Sequence, residues 1–191
     1  LPHGRGQRLS FALGGTRDGK LLAYRLEVLG DGGAYPALGA YLPNLTALMA
    51  NGVYAIPKVE TRTVSVVTNT TPTTSIRGAG RPEATQALER AIDLFAAETG
   101  LDPADVRRAN FISADAFPYL TPTGAIYDSG DYEAALRMRH DVSLLPKPFQ
   151  LSALTARDLH LDSAWYRFTV RALEQAPAPV ESRDLQGAPP R

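Results

Sequence analysis

The residues best suited to chemistry lie between positions 70 and 84, where the chain reads Thr-Thr-Pro-Thr-Thr-Ser-Ile-Arg-Gly-Ala-Gly-Arg-Pro-Glu-Ala. A polar strand exit runs into Arg77-Gly78-Ala79-Gly80, and a helix start follows at once. This is the layout of an anion-binding loop. The two glycines permit positive φ and close backbone approach, Pro82 presets the first helical turn, and the free N–H groups of that turn favour negative charge. Arg77 and Arg81 add forked donors suited to phosphate or another oxyanion. A Gly-x-Gly run ahead of a helix also serves as a plain tight connection, and spacing alone does not separate the two.

Other chemistries are thinly represented. The chain has no cysteine, which excludes disulfides, thiolate zinc sites, iron–sulfur clusters and a cysteine nucleophile within it. His3, His140 and His160 are scattered, so no histidine metal cluster is expected and any metal must arrive inside a cofactor. No catalytic residue is assigned. The 20 basic and 20 acidic residues cancel, which gives no electrostatic grip on nucleic acid or on an anionic membrane surface. No apolar run approaches the ~20 residues of a membrane span and no signal-peptide layout opens the chain. A soluble, cytoplasmic protein is expected.

The elements that must hold the loop follow from periodicity. Residues 9–16 and 20–29 are extended apolar-rich runs flanking Arg17-Asp18-Gly19, a strong hairpin signal. Residues 30–36 are too glycine-rich for a regular element, and 41–54 hold a short helix bounded by Pro43 and Asn51-Gly52. Residues 59–70 alternate, with Val59, Thr61, Thr63, Ser65 and Val67 on one face and Val64 and Val66 on the other. From 82 to 99 the period changes: Ala84, Ala87, Leu88, Ala91, Ile92 and Phe95 line one helical face, and Gly100 is placed to end the helix. Asp102-Pro103 caps a second helix to about Asn110, and a third runs from Asp131 to Met138. On their position, Glu83 reads as a partner of the helix dipole and Glu89 as part of a solvated face.

Read together, Thr68-Asn69-Thr70 and Arg77-Gly78-Ala79-Gly80-Arg81-Pro82-Glu83-Ala84 resemble the corresponding stretch of the large, molybdopterin-binding subunit of the xanthine dehydrogenase, aldehyde oxidase and carbon monoxide dehydrogenase family. The resemblance continues upstream through Pro2-His3-Gly4-Arg5-Gly6-Gln7, Asp18-Gly19 and Asp31-Gly32-Gly33-Ala34-Tyr35. Downstream it takes in Gly100-Leu101-Asp102-Pro103, Arg107-Arg108-Ala109-Asn110-Phe111-Ile112 and Tyr127-Asp128-Ser129-Gly130-Asp131-Tyr132, in the family's order. It implies an α+β fold: a partial molybdopterin-binding domain over residues 1–137 with a mixed or antiparallel sheet and packed helices. It also implies that Arg77, Gly78, Ala79 and Gly80 bind the molybdenum cofactor, with iron–sulfur clusters and FAD only on partner subunits or domains and a small molecule as substrate. Xanthine-oxidising members carry an aromatic residue at the position of Ala79, so alanine implies a wider pocket. Carbon monoxide dehydrogenases carry a copper-holding cysteine at the position of Gly78, so glycine argues against carbon monoxide. The family's glutamate base and its upstream glycine-rich loop have no counterpart in this sequence, and the chain is expected to be an inactive fragment of an aldehyde or N-heterocycle oxidoreductase when alone.

Beyond residue 137 that resemblance stops. Residues 142–154 weakly resemble the C-terminal end of a phosphoacceptor receiver domain, without the acidic residues that would make it signal. Residues 138–174 are taken as an unrelated segment, in which Trp165, Tyr166, Phe168 and Val170 could form an apolar patch. Residues 175–191, rich in proline, are expected to be disordered. A truncated, fused or frame-altered product would explain the junction. The alternatives to a molybdenum hydroxylase fragment are a stand-alone anion- or nucleotide-binding module without redox chemistry and a non-functional truncated product.

Overall fold

The computed structural model describes residues 3–140 and 167–173. A short strand β1 (His3–Gly4) leads into β2 (Gln7–Thr16) and β3 (Leu21–Asp31). Next come a 3-10 turn over Leu38–Tyr41, α1 (Leu42–Leu48), β4 (Lys58–Val66) and the two-residue β5 (Thr73–Thr74). α2 (Arg81–Thr99), α3 (Pro103–Asn110), a 3-10 turn at Ala114–Ala116, β6 (Tyr119–Leu120), β7 (Ile126–Tyr127), α4 (Tyr132–His140) and β8 (Arg167–Leu173) complete the order.

The main sheet has the order β4-β3-β2-β8. β2 and β3 are antiparallel, whereas β3–β4 and β2–β8 are parallel, so the sheet is mixed. The turn between β2 and β3 closes where the sequence placed it: Gly19 takes φ 95°, its N–H donates to the Thr16 carbonyl at 3.0 Å, and the Thr16 hydroxyl donates to Asp18. β3 and β4 run parallel, which a tight turn cannot join, and α1 supplies the crossover.

Burial along the hairpin shows one irregularity that periodicity did not. β2 buries Leu9, Phe11 and Leu13 in strict alternation, while β3 buries Leu21 and then Tyr24, Leu26 and Val28. The switch from odd to even positions happens at Leu22, which is left over when Gly14 pairs with Ala23 and Gly15 with Leu21. One extra residue flips the side-chain phase, and the bulge keeps both halves of the strand facing the core.

Against that face lies α2, which contributes Ala87, Leu88, Ala91, Ile92, Phe95 and Ala96 to a core shared with Leu9, Phe11, Leu13, Leu21, Tyr24, Leu26 and Val28. The apolar stripe read from the sequence is the buried face. Gly100 ends α2 at φ 73°, and the Asp102 side chain accepts from the Ala104 and Asp105 N–H groups to start α3. Asn110 closes that helix onto the hairpin: its amide donates to the Gly19 carbonyl at 2.8 Å and accepts from Leu21 N at 2.9 Å. Buried polar groups need such partners.

Three sequence expectations shift. The strand from 59 ends at Val66 rather than at 70, because the backbone groups beyond it bond to the Gly32–Ala34 turn instead of to a ladder. α4 continues to His140, through the position where the family resemblance stops. β8 places Phe168 and Val170 in the main sheet, paired with Phe11 and Leu13, whereas Trp165, Tyr166 and the stretches 142–154 and 175–191 lie outside the described residues.

Candidate cofactor-binding loop

The glycine-containing segment after β3 and the threonine-rich segment after β4 meet ahead of Arg77. Asp31 holds them together: Oδ1 accepts from the Gly33 N–H at 2.8 Å and the Thr68 hydroxyl at 2.7 Å, and Oδ2 from the Thr70 hydroxyl at 3.1 Å. Its carbonyl accepts from the Thr73 hydroxyl at 2.6 Å. Backbone bonds from Gly32 N to Val66 O, 2.8 Å, and from Ala34 N to Thr70 O, 3.0 Å, complete the join. The hydrogen bond from Thr68, followed by that from Gly33 N–H and then by Thr70, lowers the Asp31 carboxyl below its ordinary value of 3.8.

The pH consequence has a definite sign. A depressed folded-state value contributes stability that is fully present above the unfolded value and is lost as pH falls through the folded one. Stability should therefore decline on acidification below about pH 4, and Asp31→Asn should remove that part of the decline. Urea midpoints measured from pH 6 to pH 2.5 check this. Parallel curves for both proteins would show that the Asp31 join contributes nothing.

Beyond the join, β5 pairs in parallel with β1, Thr73 opposite His3 and Thr74 opposite Gly4. The loop then turns on itself through Ala79 N to Ile76 O, 2.9 Å, and Arg81 N to Gly78 O, 3.1 Å. Gly78, Ala79 and Gly80 have φ of 109°, 35° and 95°, a left-handed run that demands glycine at its ends. The crowding has a different source from the ligand approach expected from sequence. A Cβ on Gly80 would lie 2.5 Å from Thr46 N and 2.6 Å from Leu45 C, in the backbone of α1, and one on Gly78 would lie 2.9 Å from the Pro82 ring.

The donor set is narrower than the sequence suggested. Ala79, Arg81 and Ala84 spend their N–H groups within the loop and first helical turn, and Pro82 has none. The Gly78 and Gly80 N–H groups and the exposed Arg77 guanidinium have no partner among the described residues. Around them the positive end of α2 begins at Arg81. The exposed Arg77 guanidinium and the half-buried Gly78 amide, next to the start of α2, suit a phosphate or another anionic oxygen, whereas Gly80 is buried against α1.

Glu83 stands in the first turn of α2 as expected, but both it and Glu89 are held by partners from elsewhere in the chain. Glu83 is 9% exposed and accepts from Arg5 Nη1 at 2.9 Å. Glu89 accepts from the Tyr54 hydroxyl at 2.8 Å and Arg107 Nε at 2.8 Å, while Arg107 also reaches Asp93 at 2.9 Å. Burial and then the Glu89 charge push the Tyr54 hydroxyl well above its ordinary range. This group ties α2 to α3 and lies apart from the Arg77 loop in sequence and contacts. Arg5 and Glu83 lie far apart in sequence, and no local signal could have paired them.

The family described as the molybdopterin cofactor-binding domain matches residues 2–111, and one described as a domain of unknown function matches residues 118–169. The chain is 37% identical over 129 residues to the carbon monoxide dehydrogenase large chain of Hydrogenophaga pseudoflava, covering 65% of this chain and 16% of that protein. It is 36% identical to the same protein of Afipia carboxidovorans, over 72% of this chain and 17% of that one. Quinoline 2-oxidoreductase from Pseudomonas putida 86 superposes with a TM-score of 0.70 at 28% identity, over 75% of this chain and 19% of that chain. The chain thus spans about a sixth of the length of the curated relatives it matches. It belongs to the molybdopterin cofactor-binding domain family, that of the large subunits of xanthine dehydrogenases, aldehyde oxidases and carbon monoxide dehydrogenases.

Proposed function

We propose that residues 1–137 form one wall of the cofactor site in a molybdenum hydroxylase large subunit, with Arg77, Gly78, Ala79 and Gly80 against the cofactor. The observation that carries this is the unpartnered donor set of that loop at the start of α2. Molybdopterin brings a phosphate and other oxygen acceptors, so the chemistry of the donors fits the group. When bound, the cofactor supplies two-electron redox chemistry that hydroxylates a carbon centre with oxygen from water. The chain's own part is to bind and orient it: Arg77 as forked donor, the Gly78 amide as a fixed dipole, and Ala79 as a small wall that leaves room for substrate.

The rest of the reading follows the same line. We place the electron acceptors on iron–sulfur and flavin subunits of the same enzyme, take the substrate to be a small aldehyde or N-heterocycle, and place the enzyme in the cytoplasm. Among the described residues no helix is long and apolar enough to cross a membrane. Residues 175–191 are taken as a segment separate from the cofactor-binding part, and so is 138–174 apart from β8, which pairs with β2 in the main sheet.

Titrating the isotopically labelled chain with inorganic pyrophosphate tests the donor set. The Gly78 and Gly80 amide signals and the Arg77 Nε signal should shift saturably, and Arg77→Ala should weaken binding by roughly tenfold, the worth of one charge-assisted contact. Arg77→Lys should weaken it less but measurably, since an ammonium cannot replace the fork. Saturable shifts elsewhere with this loop silent would remove the assignment.

A further inference from the structure

We propose that Arg5 is the positioning residue of the Arg77 loop: one guanidinium clasps the loop backbone and the first turn of α2 together, and so sets the shape in which Arg77, Gly78 and Gly80 are presented. The inference rests on the proposed function for its consequence to the cofactor, but the clasp itself is tested without it.

Arg5 Nη1 donates to Glu83 Oε1 at 2.9 Å, and Nη2 donates to the Arg77 carbonyl at 3.0 Å. The two acceptors flank the left-handed run, one immediately before it and one after it. Glu83 is 9% exposed, and its second oxygen is buried without a partner. Its carboxylate therefore relies on Arg5 for both its countercharge and its hydrogen bond, and a buried carboxylate stripped of its cation is strongly disfavoured.

Backbone strain points to the same contact. Among the described residues, Arg5 at φ 62° and Ala79 at φ 35° are the only non-glycine residues with positive φ, and they lie on the two sides of the clasp. Such conformations persist only where the surroundings over-determine them, and they concentrate at functional sites. The surroundings here do so. Gly4 pairs with Thr74 and packs beneath the Ile76 side chain, which would have to shift to admit a Cβ there. Gln7 N donates to the Arg5 carbonyl at 2.9 Å, and the Gln7 side chain accepts from the Thr46 hydroxyl at 2.8 Å. The N-terminal segment is thus fastened beside the loop, with the guanidinium as its working end. Lysine could not substitute, because a single ammonium on a flexible stem cannot hold two acceptors in fixed relative positions.

Limited trypsin digestion of the full chain reads the loop directly. The Arg77–Gly78 bond is cleavable, the Arg81–Pro82 bond is protected by proline, and Arg90–Ala91 within α2 reports on the fold as a whole. Arg5→Lys and Arg5→Met should raise the cleavage rate at Arg77 roughly tenfold, as the opened loop becomes more populated, with the rate at Arg90 unchanged. Unchanged cleavage at Arg77 in both variants would overturn the proposal. A rise in Arg5→Lys of equal size at Arg77 and Arg90 would overturn it too, since the pair would then serve global stability only. Pterin content after expression in a host that makes the cofactor separates the two readings. If Arg77→Ala retains pterin while Arg5→Lys still loosens the loop, the cofactor assignment fails and the clasp stands.

Discussion

Phe95→Ala should destabilise the fold by about 3–5 kcal/mol, read as a shift in the urea or thermal unfolding midpoint. Phe95 is fully buried near the C-terminal end of α2. Its ring fills the space over Gly15, where a Cβ would lie 2.8 Å from Phe95 Cζ. Glycine on the strand and phenylalanine on the helix are therefore one packing unit. The cavity left by truncation cannot close by movement of β2. Gly15 pairs with Leu21, and the Lys20 carbonyl already lies 2.3 Å from the position of a Gly15 Cβ. A rigid wall on one side keeps the loss near the upper part of the range for aromatic truncations. A change below about 0.5 kcal/mol, the size of a typical surface substitution, would mean that α2 does not seat on the sheet.

Gly80→Val should cost about 3 kcal/mol or more, because two independent penalties act at one residue. The φ of 95° is strained for any β-branched residue. The new Cβ would also meet the α1 backbone at 2.5 Å, at Thr46 N and close to Leu45 C. Neither contact is the tip of a flexible side chain, so relief requires α1 or the loop to move. Gly78→Val provides the comparison: its Cβ would meet the Pro82 ring at 2.9 Å, which gives only by displacing the first turn of α2. Melting curves for both, together with the pyrophosphate titration, should show Gly80→Val as the more damaging to stability and both as damaging to binding. If Gly80→Val melted within about 0.5 kcal/mol of the parent, the loop could not be packed on α1 as described.

What could be read in advance was whatever is local. The Arg17-Asp18-Gly19 turn, the apolar stripe from Ala84 to Phe95, the Asp102 cap and the αL stop at Gly100 each depend on neighbours within a few positions, and each is present. The Arg77 loop was legible for the same reason, as glycine, arginine and proline in a short run before a helix. What escaped was set by residues distant in the chain. The Leu22 bulge depends on how β3 meets both Gly14 and Gly15. Glu83 looked like an ordinary first-turn acid because Arg5 is 78 residues away. Glu89 looked solvated because Tyr54 and Arg107 arrive from a loop and another helix. The glycines at 78 and 80 take the positive φ expected of them, but the neighbours that crowd them are Pro82 and the backbone of α1.

Co-purification of cofactor is the most direct test of the account. The chain would be expressed in a host that synthesises molybdopterin, purified, and assayed for pterin as its fluorescent oxidation product alongside molybdenum. The account predicts that pterin and molybdenum co-purify with the wild-type chain and fall by roughly tenfold in Arg77→Ala, in keeping with the loss of a charge-assisted contact. Equal pterin in both proteins, or none above the level of an unrelated control protein, would contradict the assignment of the Arg77–Gly80 loop as a cofactor-binding element.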